Sequence, residues 1–168
     1  MTIINQQMSC CFTGHRLIPK SIEDELNERL RNGVEYLYNN FGTRVFYSGG
    51  ALGFDTLASE AVICCRKKHP DIQLVIVMPC KDQDKKWGIR DKLRYKKIKQ
   101  AANDIICLSE HYFQGCMQER NRYLVDCSKV CICYLTEQTG GTAYTVKYAE
   151  DKGLTIFNLA KKRKEKIQ

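Results

Sequence analysis

With 168 residues, 43% of them hydrophobic and 27% charged, the chain has the size and composition of one soluble globular domain, which excludes global disorder and the fibrous classes. No apolar run approaches membrane-spanning length, and the opening MTIINQQMSCCF lacks the basic flank and apolar centre of a secretory signal, so a cytoplasmic protein without membrane contact is expected. The net charge of +8 is concentrated: residues 81–99 carry nine Lys or Arg against three Asp, residues 161–166 carry five against one Glu, and the remainder sums to −2.

In chain order, β-rich runs at 9–13, 44–48, 73–78, 105–108, 130–135 and 155–159 alternate with helical patterns, the signature of parallel βαβ units. The first helix is expected over 21–40, opened by a capping box of Ser21 and Asp24, with Ile22, Leu26, Leu30, Val34 and Leu37 on one face. A second helix carries Phe54, Leu57, Ala58, Ala61, Val62 and Cys65 and ends near His69 and Pro70. The run IQLVIVM is continuously apolar, as a strand covered on both faces would be, and is expected at the sheet centre. Helices follow over 90–102, 117–127 and 142–152, the last capped by Gly153. The fold class is therefore α/β: a single Rossmann-like domain over residues 1–160, a mostly parallel sheet flanked by helices on both faces, followed by a basic tail at 161–168. Such a tail reads as a solvated end before it reads as a nucleic-acid contact.

Ten cysteines raise the question of disulfides or zinc. Most sit in apolar strands or on a helix, where a reduced thiol acts as a small hydrophobe. No pair has the Cys-x-x-Cys spacing, and His15, His69 and His111 are scattered, so no metal is expected.

Three loops at strand carboxyl ends carry the chemistry, where an open α/β sheet places its ligands. Thr13-Gly14-His15-Arg16 follows the first strand; the glycine allows a sharp turn and Arg16 offers a planar donor for phosphate. Ser48-Gly49-Gly50-Ala51-Leu52-Gly53-Phe54-Asp55 runs from a strand into a helix N-terminus, where missing β-carbons let backbone amides approach an anion. Asp55 either caps that helix or bonds a ribose hydroxyl, capping being favoured. Arg120 and Asn121 open a later helix, and Gly140-Gly141-Thr142 opens the next, offering amides and a hydroxyl to a second phosphate or a ribose. Trp87, in a polar basic loop, is either core or a lid over a base.

The set CFTGHR, SGGALGFD, a proline-bearing loop with Gln83 and Trp87, RNRYLVDCS and GGTAYTVKYA resembles the YpsA-like branch of the SLOG superfamily along nearly the whole chain. The resemblance implies a Rossmann-like fold and a nucleotide-derived ligand at the glycine motifs; relatives include LOG phosphoribohydrolases, the DNA-processing protein DprA and sensor domains of antiphage systems. MQERNRYLVDCSKVCICYL is similar to the LOG stretch, so Arg120 falls on that family's functional arginine. The family's acid has no counterpart: alternative alignments put Lys147 or Thr145 there. The expected function is therefore binding of a phosphorylated nucleotide derivative, ADP-ribose or NAD-like, as sensor, carrier or sequestering protein, with no bound cofactor and, by likeness to the relatives, as a homodimer or higher homo-oligomer. Two alternatives stay open. One is a nucleotide N-glycosidase drawing its acid from Asp55, Glu119 or Glu150; the other is single-stranded nucleic-acid binding through 81–99 and the tail, which is not favoured.

Overall fold

The computed structural model describes residues 9–161. The alternation is realised as β1 (Ser9–Gly14), α1 (Lys20–Phe41), β2 (Val45–Ser48), α2 (Phe54–Arg66), β3 (Gln73–Met78), α3 (Ile89–Ala101), β4 (Asp104–Cys107), α4 (Cys116–Asp126), β5 (Val130–Tyr134), α5 (Gly141–Asp151) and β6 (Thr155–Asn158). Every strand pairing is parallel, in the order β4-β3-β2-β1-β5-β6. The chain steps outward from β1 to β4, crosses back to lay β5 against the free side of β1, and finishes on β6. Connections leaving β1 and β5 therefore diverge, which opens a crevice between their carboxyl ends.

Each face of the sheet has its own core. Helices α1, α2 and α3 bury Leu26, Leu30, Val34, Leu37, Phe54, Val62, Tyr95 and Ile98 against Cys10, Phe12, Leu74 and Ile76; α4 and α5 bury Leu124, Val125, Val146 and Ala149 against Cys11, Val75, Val77 and Cys131. Successive strand residues thus serve opposite faces. Each fully buried leucine of the α1 stripe removes enough apolar surface to contribute roughly 2 kcal/mol. All ten cysteines are free thiols, eight of them buried.

Three expectations shift. The capping box is not formed: Pro19, at φ −59°, precedes α1 without a side-chain cap, and Ser21 lies inside the helix. The Pro19 carbonyl accepts the amide of Ile22 at 3.1 Å, so the pre-set proline backbone starts the helix earlier than a serine cap would. Helices α3, α4 and α5 likewise each begin one residue earlier than periodicity indicates. Strand β3 is second from the edge, while β1 and β2 hold the centre. Its apolar run reports cover on both faces, which a position next to the edge also supplies. Gly153 does follow α5 in the left-handed region, at φ +81°, with the Leu154 amide closing onto the Ala149 carbonyl at 3.0 Å. The proposed tail lies outside the described residues beyond Lys161.

The turn into α2 is sterically keyed. Gly53 has φ +76°, and a β-carbon there would sit 2.2 Å from the Arg16 carbonyl oxygen. Gly53→Ala is expected to cost about 2–4 kcal/mol from backbone strain and overlap together. Gly88, in open space at φ −65°, should tolerate alanine within about 0.5 kcal/mol. Urea titration of the two variants against the parent checks both values.

Candidate functional site

At the end of β1, Gly14 is required because a β-carbon would come 2.4 Å from Cγ of Phe54, the first residue of α2. The Phe54 amide donates to the His15 carbonyl at 3.1 Å, clamping the β1 loop onto the start of α2. Across the crevice, Nε2 of His15 accepts the Thr136 amide at 2.9 Å, an acceptor role that puts the neutral ring's proton on Nδ1. Its ring meets Tyr134 edge-on at 6.1 Å. The loops following β1 and β5 are thereby tied to each other.

The glycine turn before α2 spends two of its amides on the protein. The Gly50 amide donates to Ser48 Oγ at 3.2 Å, and the Ala51 amide to Asp55 Oδ2 at 3.2 Å. Gly53 is the N-cap and makes no side-chain cap bond, so Asp55 is not the cap; its carboxylate folds back to fasten the turn. Gly49 makes room for a guanidinium: its β-carbon would lie 2.5 Å from Nη1 of Arg120. Gly50, at φ +64°, leaves space for the Tyr95 ring.

Arg120 is the central cation of the site. Only 3% exposed, it donates from Nη1 to the Gly49 carbonyl at 2.7 Å, to Gln83 Oε1 at 3.1 Å and to the Val77 carbonyl at 3.4 Å, while Nε donates to Asn121 Oδ1 at 2.9 Å. Gln83, itself buried, also donates to the Gly49 carbonyl and to the Tyr95 hydroxyl. Nη2 of Arg120 lies 3.9 Å from Sδ of Met117, and Nη2 of the exposed Arg16 approaches the same sulfur at 3.9 Å. Among the described residues, no carboxylate within 4.0 Å pairs with either guanidinium.

These groups line one cavity of about 300 Å³ between the ends of β1 and β5, formed by Thr13, Gly14, His15, Arg16, Ala51, Asp55, Met117, Arg120, Asn121, Glu137, Thr139, Gly140, Gly141 and Thr142. Gly140, at φ +100°, and Gly141 have nothing within 4 Å of where a β-carbon would stand, so the start of α5 is open to the cavity. Burial pushes the Asp55 carboxyl up to about 6 despite the opposing pull of Arg120, the Ala51 amide and Arg16. Burial also draws Arg120 below its ordinary value, against the pull of Asp55, though a guanidinium stays charged.

Ten of the residues singled out from sequence therefore meet in one cavity. Ser48, Gly49, Gly50 and Gly53 do not line it; Gly49 instead abuts the Arg120 guanidinium, and Gly53 the Arg16 carbonyl. Trp87 stands apart, half-buried against the α1–α3 core with its ring 5.1 Å from that of Tyr95. Glu137 is not marked by the sequence pattern; it sits in the irregular six-residue loop between β5 and α5, whose composition carries no signal. Glu119 and Glu150 do not line the cavity, Thr145 donates to the Gly141 carbonyl at 2.8 Å, and Lys147 pairs with Asp151. A larger cavity of about 640 Å³ runs between α1 and β6, lined chiefly by Tyr36, Leu37, Ile132, Phe157 and Leu159; its guanidinium, Arg29, is spent on the carbonyls of Leu159 and Lys161.

Among known proteins, the SPbeta prophage-derived protein YoqJ of Bacillus subtilis is 31% identical over 138 residues, covering 75% of this chain and 81% of that protein. UPF0398 protein BH1768 of Halalkalibacterium halodurans is 28% identical over 142 residues, covering 83% and 70%. Among solved structures, the single-stranded-DNA-binding DNA processing protein A of Helicobacter pylori shares the fold, with a TM-score of 0.66 at 23% identity over 96% of this chain and 69% of that one. No helix among the described residues is long and apolar enough to cross a membrane. The family model YpsA, described as the YspA SLOG family, matches residues 11–159, and with most of its length so matched this chain is a member of that family.

Proposed function

We propose that the crevice between β1 and β5 binds a phosphorylated nucleotide derivative of the ADP-ribose or NAD class, and that the protein acts as its sensor, carrier or sequestering agent. One observation carries the reading: two guanidinium groups, one of them almost fully buried, converge on a cavity beside the open start of α5, and among the described residues no carboxylate lies within 4.0 Å of either. Converging cations at a helix N-terminus favour an anion, and a guanidinium recognises phosphate through directed donors. Arg16 and Arg120 would hold the phosphates, the amides of Gly141 and Thr142 would complete the cradle, and Asn121 and Thr142 would offer hydroxyl or amide contacts to a ribose.

A nucleic-acid reading has less support in the basic stretch 81–99, where Lys81 pairs with Glu110, Arg94 pairs with Glu60 and Lys99 lies over the Tyr95 ring. The hydrolase reading has one specific support. Asp55 and Glu137 both face the cavity, and Asp55 has a raised pKa of the kind a proton donor needs. If an N-glycosidic bond is broken here, the acid is one of these two.

Arg16→Ala is expected to weaken ADP-ribose binding by roughly ten- to a hundredfold, the loss of a charge-assisted contact worth about 1.5–3 kcal/mol, with Tm unchanged because Arg16 is exposed. Calorimetry checks the affinity, and an unaltered Kd would remove the crevice as the phosphate site.

The raised Asp55 pKa gives a pH dependence of known sign. Its native pKa, about 6, exceeds the unfolded value of about 3.9, so between these pH values the native state binds the extra proton and stability falls as pH rises. Asp55→Asn should therefore gain about 2–3 kcal/mol relative to the parent on going from pH 4 to pH 7.5, read by denaturant titration at each pH. The ionised carboxylate also opposes an anion in the same cavity. Affinity for ADP-ribose, whose pyrophosphate keeps its charge over this range, should tighten roughly fivefold or more from pH 7.5 to 5 in the parent and stay flat in the variant.

Incubation with AMP, NAD and ADP-ribose, followed by chromatography for free base, separates binder from hydrolase. Binding without base release is expected. Release that disappears in Asp55→Asn or Glu137→Gln while binding persists would overturn the binder reading and identify the acid.

A further inference from the structure

A second cleft adjoins the first. It follows the outward face of α5, lined by Gln138, Thr139, Gly140, Tyr144, Lys147 and Tyr148 among others, and it shares Thr139 and Gly140 with the two-arginine cavity. Positions 140, 144, 147, 148 and 151 recur at helical spacing, so the cleft is one continuous stripe of the helix that begins at the proposed phosphate cradle.

Its aromatic rings are held in place. The Tyr144 hydroxyl accepts from Nη1 of Arg122 on α4 at 3.1 Å, and the Tyr148 hydroxyl donates to Oδ1 of Asp126, also on α4, at 2.8 Å. Both polar tips are thus anchored to the neighbouring helix, which holds the two rings beside it. Lys152 stands over the Tyr148 ring, with its amine 5.4 Å from the centroid. Among the described residues, no ring or cation stacks on Tyr144, which remains 44% exposed. A tyrosine fixed at its hydroxyl and open on its face suits a flat heterocycle, and the Gln138 amide at the same cleft carries both a donor and an acceptor for a base edge.

We infer that this cleft is a nucleobase subsite in which the base stacks on Tyr144 while the phosphates occupy the two-arginine cavity. The inference rests on the phosphate reading of that cavity. Tyr144 lies three residues along α5 from Gly141, about 4.5 Å in axial rise, a separation that a single ribose spans. The occupant is thus a 5′-phosphorylated nucleotide whose base points away from the sheet along α5. The crevice supplies charge recognition, and the α5 stripe supplies discrimination between a nucleotide and inorganic phosphate.

The test compares inorganic pyrophosphate with ADP by calorimetry in the full chain. Pyrophosphate is expected to bind and to compete with ADP, and ADP to bind tenfold or more tightly, the usual contribution of stacking one base on an aromatic ring. Tyr144→Ala should erase that advantage while pyrophosphate affinity stays within twofold; Tyr144→Phe, which keeps the ring, should retain most of it. Ala143→Gln, which fills the cleft and leaves Tyr144 in place, should act like Tyr144→Ala and gives an independent reading if the tyrosine variant folds poorly. Pyrophosphate binding with no added affinity for ADP, or an ADP advantage that survives both Tyr144→Ala and Ala143→Gln, overturns the base subsite alone. Failure of pyrophosphate to bind the parent overturns the phosphate reading and the subsite with it.

Discussion

A buried guanidinium is the constraint from which the rest of the site follows. Taking a cation out of water costs several kcal/mol unless its N–H groups are satisfied, and Arg120 meets that demand with two main-chain carbonyls, Gln83 and Asn121. Each partner imposes a condition of its own. The Gly49 carbonyl can be reached only if residue 49 lacks a β-carbon, and Gln83 must stay buried and is held by Tyr95. Tyr95 in turn needs the empty space at Gly50. A loop between β3 and α3, a glycine turn after β2 and the start of α4 are thus fixed by one side chain. What Arg120 does not spend on the protein faces the crevice.

Sheet order explains why these pieces meet. With β1 flanked by β2 on one side and β5 on the other, the connections leaving β1 and β5 pass to opposite faces, and the gap between them cannot be closed by either. The hydrogen bond from the Thr136 amide to His15 ties the two lips, and the Phe54 amide, donating to the His15 carbonyl, fixes the first lip to α2. Arg16 therefore approaches Arg120 from a braced loop, although its own side chain is exposed. Like charges are brought near a single thioether, an arrangement whose repulsion is relieved by an anion.

The elements were legible because their periods differ: the Leu26 to Leu37 stripe has helical spacing, and the β3 run is apolar throughout. Strand order was not legible, since an apolar run reports how many faces are covered and not which neighbours cover them. The site loops were recognisable from glycines at strand ends, yet the reason for those glycines was hidden. Gly49, Gly50 and Gly53 make room for Arg120, Tyr95 and the Arg16 carbonyl, contacts between segments distant in sequence. Glu137 and the packing of Trp87 on Tyr95 were equally invisible, because neither a loop carboxylate nor a lone tryptophan has a local pattern that depends on its tertiary neighbour. Arg120 was marked by its place at a helix start and by likeness to a family motif; its depth in the fold could come only from structure.

The distribution of thiols has a practical consequence. Cys64 and Cys107 are exposed, whereas the other eight are buried in or against the two layers, Cys10 facing the α1–α3 side and Cys11, Cys131 and Cys133 the α4–α5 side. Burial raises the pKa of Cys10 and Cys133, and Cys131 is raised by its contact with Cys11 as well as by burial, so in the folded chain these sulfurs are neither accessible nor nucleophilic. Alkylation of the native protein is thereby confined to two positions. Every further modification becomes a clock for the opening of a particular side of the sheet, so the order in which cysteines acquire label maps which layer parts first, with no engineered reporter.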